Sequence, residues 1–394
     1  MASPGVVVIG GYINALGIVR SLAARGVPVA IVETQPYDIA GHSRLVTSVD
    51  RVNKLDEHPE ALVEIVERRA HEWRGWALLP STDEALAALA DQCDILSAHH
   101  PVVAPPPDTV RVLLDKQRMY QAAEAVGLNL PTRYGVVSAA LSFDGIRYPV
   151  VVKPDGGSGF ATRFGCKLLV ARNAAELAAS IAQVESAGIP SGVYELVPGA
   201  DDHIYAHTVY LDRRGEPRGA LTIRKLRQSP SGFGVARAAE LVPDPPELRD
   251  ATIELARRIG IRGIAEAEWK RDARDGSYRF IEINGRSVIF NALLRKGGLD
   301  LAFLAFSESM QGFVPSFQPT GWPGVWINLH ADLLHALLSR NEASAGWRQI
   351  LAPYRRPLVE AAWSTSDPAP FFAQWGRSAR TALTSLARAM WQQR

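Results

Sequence analysis

Glu268, Glu282 and Asn284 are the residues whose types and spacing could do chemistry. They lie in GIAEAEWKRDARDGSYRFIEINGR, residues 263–286, which reads as two alternating strands joined by a turn at Arg274-Asp275-Gly276. Side chains two apart on a strand share a face, so Glu282 and Asn284 point the same way, and strand pairing could bring Glu268 beside them. Two carboxylates and an amide oxygen converging there would hold one or two Mg²⁺ ions and leave positions for nucleotide phosphates. The same residues could equally be ordinary charges on a solvated hairpin face. The rest of the chain has to decide between the two.

Other candidates follow the same logic. In YPVVVKPDGGSGFATRFG (148–165) a buried-type strand ends at Lys153-Pro154 and runs into a loop containing Gly156, Gly157, Ser158 and Gly159. Glycine-rich backbone wraps its amides around phosphate oxygens, and a lysine before it supplies countercharge. It is not a Walker sequence, and a flexible hairpin tip is the bland alternative. Lys116 stands near the start of a helix within 113–131 that ends at Gly127. The extended segment Tyr194-Glu195-Leu196 could pair its backbone with an adenine edge, and Asp201 or Asp202 could accept from ribose hydroxyls. His203 and His207 suit packing or substrate contact better than metal binding. Arg224, Lys225 and Arg227 precede the loop Ser229–Gly234, whose glycines and Phe233 suggest a mobile lid that neutralises a transferring phosphoryl group and excludes water.

These residues need elements to position them. The chain has 394 residues, enough for two or three domains. Short apolar strands at 6–11, 27–33 and 76–81 alternate with helices over 14–25 and 83–98, the pattern of a doubly wound parallel sheet. Gly10, Gly11 and Gly17 form a loose strand-to-helix turn that misses the dinucleotide fingerprint, so a packing turn is the better reading; Glu33 keeps the ribose-binding alternative alive. The proline-rich VVAPPPDTV (102–110) marks a domain boundary and is expected not to continue a helix. The balance of 43 basic to 41 acidic residues gives no global reason to expect nucleic-acid binding. Two cysteines at no ligand spacing, no signal-like opening and no apolar run of membrane length point to a soluble, cytoplasmic protein.

Taken in order, LLPSTDEAL, LLDKQRMYQAAEAVGLNLP, YELVPGADD, TIRKLRQSPSGFG, EAEWKRD and IEINGR resemble the ATP-grasp superfamily over residues 1 to about 310. The closer resemblance is to its carboxylate-amine ligase branch, which includes D-aspartate ligase, and it extends weakly through DPAPFF (367–372). It implies an α/β chain, α+β in its ATP-binding part, with an N-terminal doubly wound parallel-sheet domain. That domain would span 1–105, a helical linker and small ATP-clamping subdomain 106–192 (the clamp itself around 132–192), the metal-bearing subdomain 193–320, and an extension 321–394.

The resemblance also implies roles. Lys116 and Lys153 would contact the α and β phosphates under a loop at 155–162 that includes Gly156, Gly157 and Ser158. Glu195 and Leu196 would meet adenine and Asp202 the ribose. Glu268, Glu282 and Asn284 would hold Mg²⁺, or Mn²⁺ in its place. Lys225, Arg227 and Arg286 would stabilise the phosphoryl charge. ATP would activate a small-molecule carboxylate to an acyl phosphate, attacked by an amine, both substrates being of the amino-acid class, with release of ADP and phosphate. The alternatives are an enzyme activating bicarbonate in the manner of biotin carboxylase or carbamoyl-phosphate synthase, and a non-catalytic nucleotide-binding module. The chain departs from the pattern at Gly285, where many relatives carry proline. Residues 370–394 have helical apolar spacing with four arginines and no acids. Such a helix could pack on the protein itself, dock on a partner or lie on an anionic membrane. A homodimer is left open.

Overall fold

The computed structural model describes residues 4–155, 159–232, 234–338 and 351–377. Three sheets organise them. The first is parallel, built from β1 (Val6–Ile9), β2 (Val29–Glu33), β3 (Ser48–Arg51) and β4 (Ala77–Pro80) in the order β3-β2-β1-β4. The second is antiparallel, from β5 (Arg133–Val136), β6 (Val150–Pro154), β7 (Leu169–Ala171) and β8 (Ser191–Glu195), ordered β5-β8-β6-β7. The third has seven strands: β9 (Ile204–Leu211), β10 (Pro217–Ser229), β11 (Val235–Val242), β12 (Gly263–Arg271), β13 (Tyr278–Asn284), β14 (Val325–Ile327) and β15 (Leu358–Glu360). Their order is β13-β12-β9-β10-β11-β14-β15, all antiparallel but for the last pair.

Strands β1, β2 and β4 of the parallel sheet are buried on both faces, as the inner strands of a doubly wound sheet must be, while edge strand β3 is partly exposed. Val6 and Val8 of β1 enter one apolar core, while Val7 and Ile9 enter another with Leu62, Ile65 and Trp73. The first of these cores does not stop at the N-terminal sheet. It runs through the Ile13–Ala23 helix to Phe290, Leu293, Leu304 and Trp326 beneath the large sheet. Gly17 permits this closeness, because a Cβ there would lie 2.6 Å from Asn291 Cβ. The Gly10-Gly11 turn is likewise a packing device: a Cβ on Gly11 would meet Asp38 at 2.6 Å, and the Gly11 carbonyl accepts from the amides of Ile39 and Ala40 at 2.7 Å. Glu33 is committed to Arg51 at 2.7 Å.

Several local expectations need correction. The helix over 83–98 is two, Asp83–Asp91 and Cys93–Leu96. β3 and the Glu60–Arg68 helix, an amphipathic segment that buries Leu62, Ile65 and Val66, add to the elements expected. The proline-rich stretch starts a helix, Pro107–Leu114, because proline at the first helical position gives up an amide that has no partner anyway. A separate helix, Lys116–Ala125, follows, capped by the Asp115 carboxylate, which accepts from the amides of Gln117 and Arg118. β9 lies mid-sheet and is buried along its whole length. The loop expected over 155–162 turns into a helix at Gly159–Phe164, anchored by buried Phe160.

The basic stretch 224–227 belongs to no lid. It lies within β10, and its three cations each have a carboxylate: Arg224 on Glu240, Lys225 on Glu268 and Arg227 on Asp332. Phe233 and residues 378–394 of the basic tail lie outside the described residues. No helix among the described residues is long and apolar enough to cross a membrane.

Candidate functional site

A cleft open to solvent lies between the second and third sheets. β12 and β13 form one wall. Their register pairs Glu266 with Asn284 and Glu268 with Glu282, so the hairpin brings the sequence-predicted trio onto adjacent strands. Glu266, Glu268 and Lys270 alternate along β12 and all face the cleft. On β13 strict alternation would send Phe280 to the same side as Glu282. A bulge at Ile281 prevents this, since Trp269 pairs with Phe280 immediately after Glu268 pairs with Glu282. Phe280 and Ile283 therefore enter the core while Glu282 and Asn284 face the cleft. Gly285 has its own reason: a Cβ there would stand 2.5 Å from Leu113 and 3.1 Å from Pro105.

The electrostatics of this wall call for a cation. Lys225, 4% exposed, reaches across β9 and sits 2.8 and 3.0 Å from the two oxygens of Glu268. Beside it Glu266 accepts from Thr208 Oγ1 at 2.9 Å, and burial, then the charge of Glu268, pushes its carboxyl up to about 7. Among the described residues, Glu282 and Asn284 have no side-chain hydrogen-bond or ion-pair partner. No three His, Cys, Asp or Glu side chains among those residues form a metal-ligand group on their own. Two carboxylates and an amide form an all-oxygen set suited to Mg²⁺, which would take its remaining ligands from phosphate and water.

The opposite wall is cationic. Lys116, Lys153 and Lys167 line it. The Lys153 ammonium donates to Tyr120 Oη at 2.7 Å and lies 4.8 and 4.3 Å from the ring centres of Tyr120 and Tyr194. Burial brings it from 10.5 down to about 8, although the charges of Glu282 and Asp155 oppose the shift. Lys116 is also held below its ordinary value, by burial and then by Lys153. A polyphosphate would reverse both effects.

Nucleotide binding at pH 8 should therefore take up protons, with about half a proton attributable to Lys153. Affinity should fall as pH rises through 8, where the free protein must regain that proton. Calorimetry in buffers of different ionisation enthalpy measures the uptake, and Lys153→Arg should reduce it. No uptake in the unaltered protein would place the anion elsewhere.

The remaining candidates divide. Glu195, Leu196 and Val197 line the cleft where the second sheet meets the third. The Glu195 carboxylate accepts from the Thr132 amide and pairs with Arg274; burial opposes its ionisation, but these contacts hold it below the usual range. The Leu196 amide donates to the Pro149 carbonyl at 3.3 Å. Arg286 lines the cleft and holds Asp83. Asp202 is exposed at the rim, outside the lining, where its charge reaches Lys270. Its neighbour Asp201 is buried and accepts from the backbone amides of Gln228 and Gly232. Arg227 faces away toward Asp332. Gly156, Gly157 and Ser158 lie outside the described residues.

Glu266, Lys270, Gln228 and Lys167 line the cleft without having been singled out in the sequence. Glu266 and Lys270 carried a signal, being two residues either side of Glu268 on one strand. Lys167 and Gln228 carried none.

No family model matches the chain. It is 25% identical over 240 residues to a D-aspartate ligase of Enterococcus faecium (strain Aus0004), covering 54% of this chain and 56% of that protein. The chain thus spans about half the length of this curated relative. Among solved structures, an L-amino acid ligase from Bacillus licheniformis superposes with a TM-score of 0.62 at 17% identity, covering 81% of this chain and 79% of that one. An N5-carboxyaminoimidazole synthetase from Staphylococcus aureus complexed with ADP gives 0.64 at 13% identity, with 87% and 86% covered. A biotin carboxylase from Campylobacter jejuni in complex with an ATP ligand gives 0.61 at 16%, with 79% and 72% covered. The chain has the ATP-grasp fold these proteins share.

Proposed function

We propose that this chain is an ATP-dependent, ADP-forming carboxylate-amine ligase that joins two small molecules of the amino-acid class. The observation that carries the reading is the cleft itself. Two half-buried lysines with depressed proton affinity face a paired-carboxylate wall on which Glu282 and Asn284 lack protein partners among the described residues. A cation wall wanting an anion and an acid wall wanting a cation suit a metal-bound polyphosphate placed between them.

In this reading Lys116 and Lys153 hold the α and β phosphates, Lys167 adds charge beside them, and the backbone of Glu195–Val197 borders the base. Glu268, Glu282 and Asn284 hold Mg²⁺, which when bound screens the phosphates so that an anionic oxygen can approach. Lys225 and Arg286 orient the terminal phosphoryl group and balance the charge that develops on it. The substrate carboxylate oxygen attacks the γ phosphorus in line and ADP leaves. The amine nitrogen then attacks the acyl carbon, phosphate leaves, and the nitrogen gives up a proton. Arg227 and Asp202 take no part in these steps, because one is turned to Asp332 and the other stands outside the lining. The D-aspartate ligase and the L-amino acid ligase favour amine acceptors over bicarbonate chemistry.

The test is ADP release across a matrix of amino acids and small carboxylates with Mg²⁺. ADP and phosphate should appear only with a productive pair. AMP and pyrophosphate would mean adenylation, and release stimulated by bicarbonate alone would favour the carboxylase-like alternative.

A further inference from the structure

Arg286 meets Asp83 as a fork: Nε donates to Oδ1 at 2.6 Å and Nη2 to Oδ2 at 2.9 Å. The two residues come from separate parts of the fold. Asp83 opens the Asp83–Asp91 helix at the carboxyl end of β4, and Arg286 follows β13 and lines the cleft. Asp83 is not the helix cap; Thr82 is, its hydroxyl accepting from the Ala85 amide. With the cap supplied by Thr82, the Asp83 carboxylate is free to pair with Arg286 as well as to complement the start of its own helix.

The Asp83 side chain is 53% exposed; besides Arg286, the cations acting on it are Lys167 and Lys116, and together they hold its carboxyl below the usual range. All three cations line the cleft, and they reach it from separate segments: the Lys116–Ala125 helix, the bend before β7 and the residues after β13. An anion from the N-terminal sheet thus stands among the cleft's own anion-binding groups.

We propose that Asp83 is an internal stand-in for the phosphate anion, holding Arg286 in the free protein and giving it up when a polyphosphate enters the cleft. The proposal rests on the nucleotide site argued above but not on the ligase reaction. The guanidinium edge that Asp83 occupies cannot at once face a phosphoryl oxygen. Asp83 and a polyphosphate also repel each other within one cation set. A monoanion replaces one charge with another and gains little, whereas a polyphosphate engages several cations together and outcompetes the carboxylate. The exchange admits polyphosphate selectively and releases Arg286 to the reacting group only when one is present. It also removes one ion pair between the start of the Asp83–Asp91 helix and the end of β13 at the same moment.

The test is affinity for inorganic tripolyphosphate and for ATP with Mg²⁺, measured by calorimetry at low salt on the full chain. Asp83→Asn keeps the shape and the Thr82 cap, and should bind tripolyphosphate about two- to five-fold more tightly than the unaltered protein. It should also acquire measurable affinity for orthophosphate, and the gain should fade as KCl is raised. Asp83→Glu retains the charge and should retain the original affinities. Unchanged or weaker tripolyphosphate binding by Asp83→Asn, or the same gain in Asp83→Glu, would overturn the proposal. Failure of the ligase assay with tripolyphosphate binding tightened as expected would remove the reaction and leave the stand-in intact.

Discussion

Glu282→Gln is expected to fold normally and to lose ATP turnover by about two to three orders of magnitude. The stability half of that expectation follows from the side chain's isolation. Glu282 is half-buried and faces the cleft without a hydrogen bond or ion pair among the described residues, so the amide breaks nothing. The backbone pairing with Glu268 is unaffected. A change of this kind should cost about 1 kcal/mol, from the lost field on the neighbouring cations rather than from any broken bond. The catalytic half follows from charge. The field of Glu282 supports the charged forms of Lys116, Lys153 and Arg286 together. Replacing it removes a metal ligand and weakens all three cations at once. Melting temperature and ADP release on the same preparation measure the two halves. Turnover within a few-fold of normal in a folded variant would remove Glu282 from the site.

That hairpin was legible because everything it needs is local. Alternation and a turn closed by Gly276 with φ of 75° set the two strands side by side, and the bulge at Ile281 then puts Glu268 opposite Glu282 rather than Ile281. The bulge at Ile281 was not legible, because the pattern YRFIEIN fits unbroken alternation equally well. The parallel sheet was readable for a similar reason: strands buried on both faces are short apolar runs. What failed was anything depending on a distant partner. Arg224, Lys225 and Arg227 look mutually repulsive in sequence, yet their carboxylates lie 16, 43 and 105 residues away. With each charge matched, the segment is free to be a central strand. The fork between Asp83 and Arg286 spans 203 residues, and no spacing rule reaches that far. The fold and the acid wall could be reasoned from short-range pattern, while the countercharges that tune the site came only with the tertiary structure.

The reassignment of Lys225 from lid to strand changes what its removal should do. On a mobile loop, Lys225→Met would leave the free protein's stability unchanged. In β10 its ammonium is buried between strands and bound to both oxygens of Glu268, whose side chain is 19% exposed. Removing one partner of such a pair leaves a largely buried carboxylate unmatched, and methionine avoids adding a cavity. A loss of about 3 kcal/mol is expected at pH 8, the low end for buried pairs because Glu268 keeps some water. The pH dependence has a definite sign. Burial and the charge of Glu268 already raise Glu266 to about 7, while Lys225 pulls it down. In the variant it should titrate higher still. A carboxyl raised in the folded state destabilises that state when ionised, so the deficit should shrink as pH falls from 8 toward 6. Mg²⁺ should restore melting temperature more in the variant than in the unaltered protein, because a cation again faces Glu268. Turnover should nevertheless stay low, and fall further than ATP affinity does, because the charge Lys225 would balance develops only during transfer. A variant with unchanged melting temperature at pH 8 and unchanged turnover would mean that Lys225 neither neutralises the acid wall nor serves the reacting group.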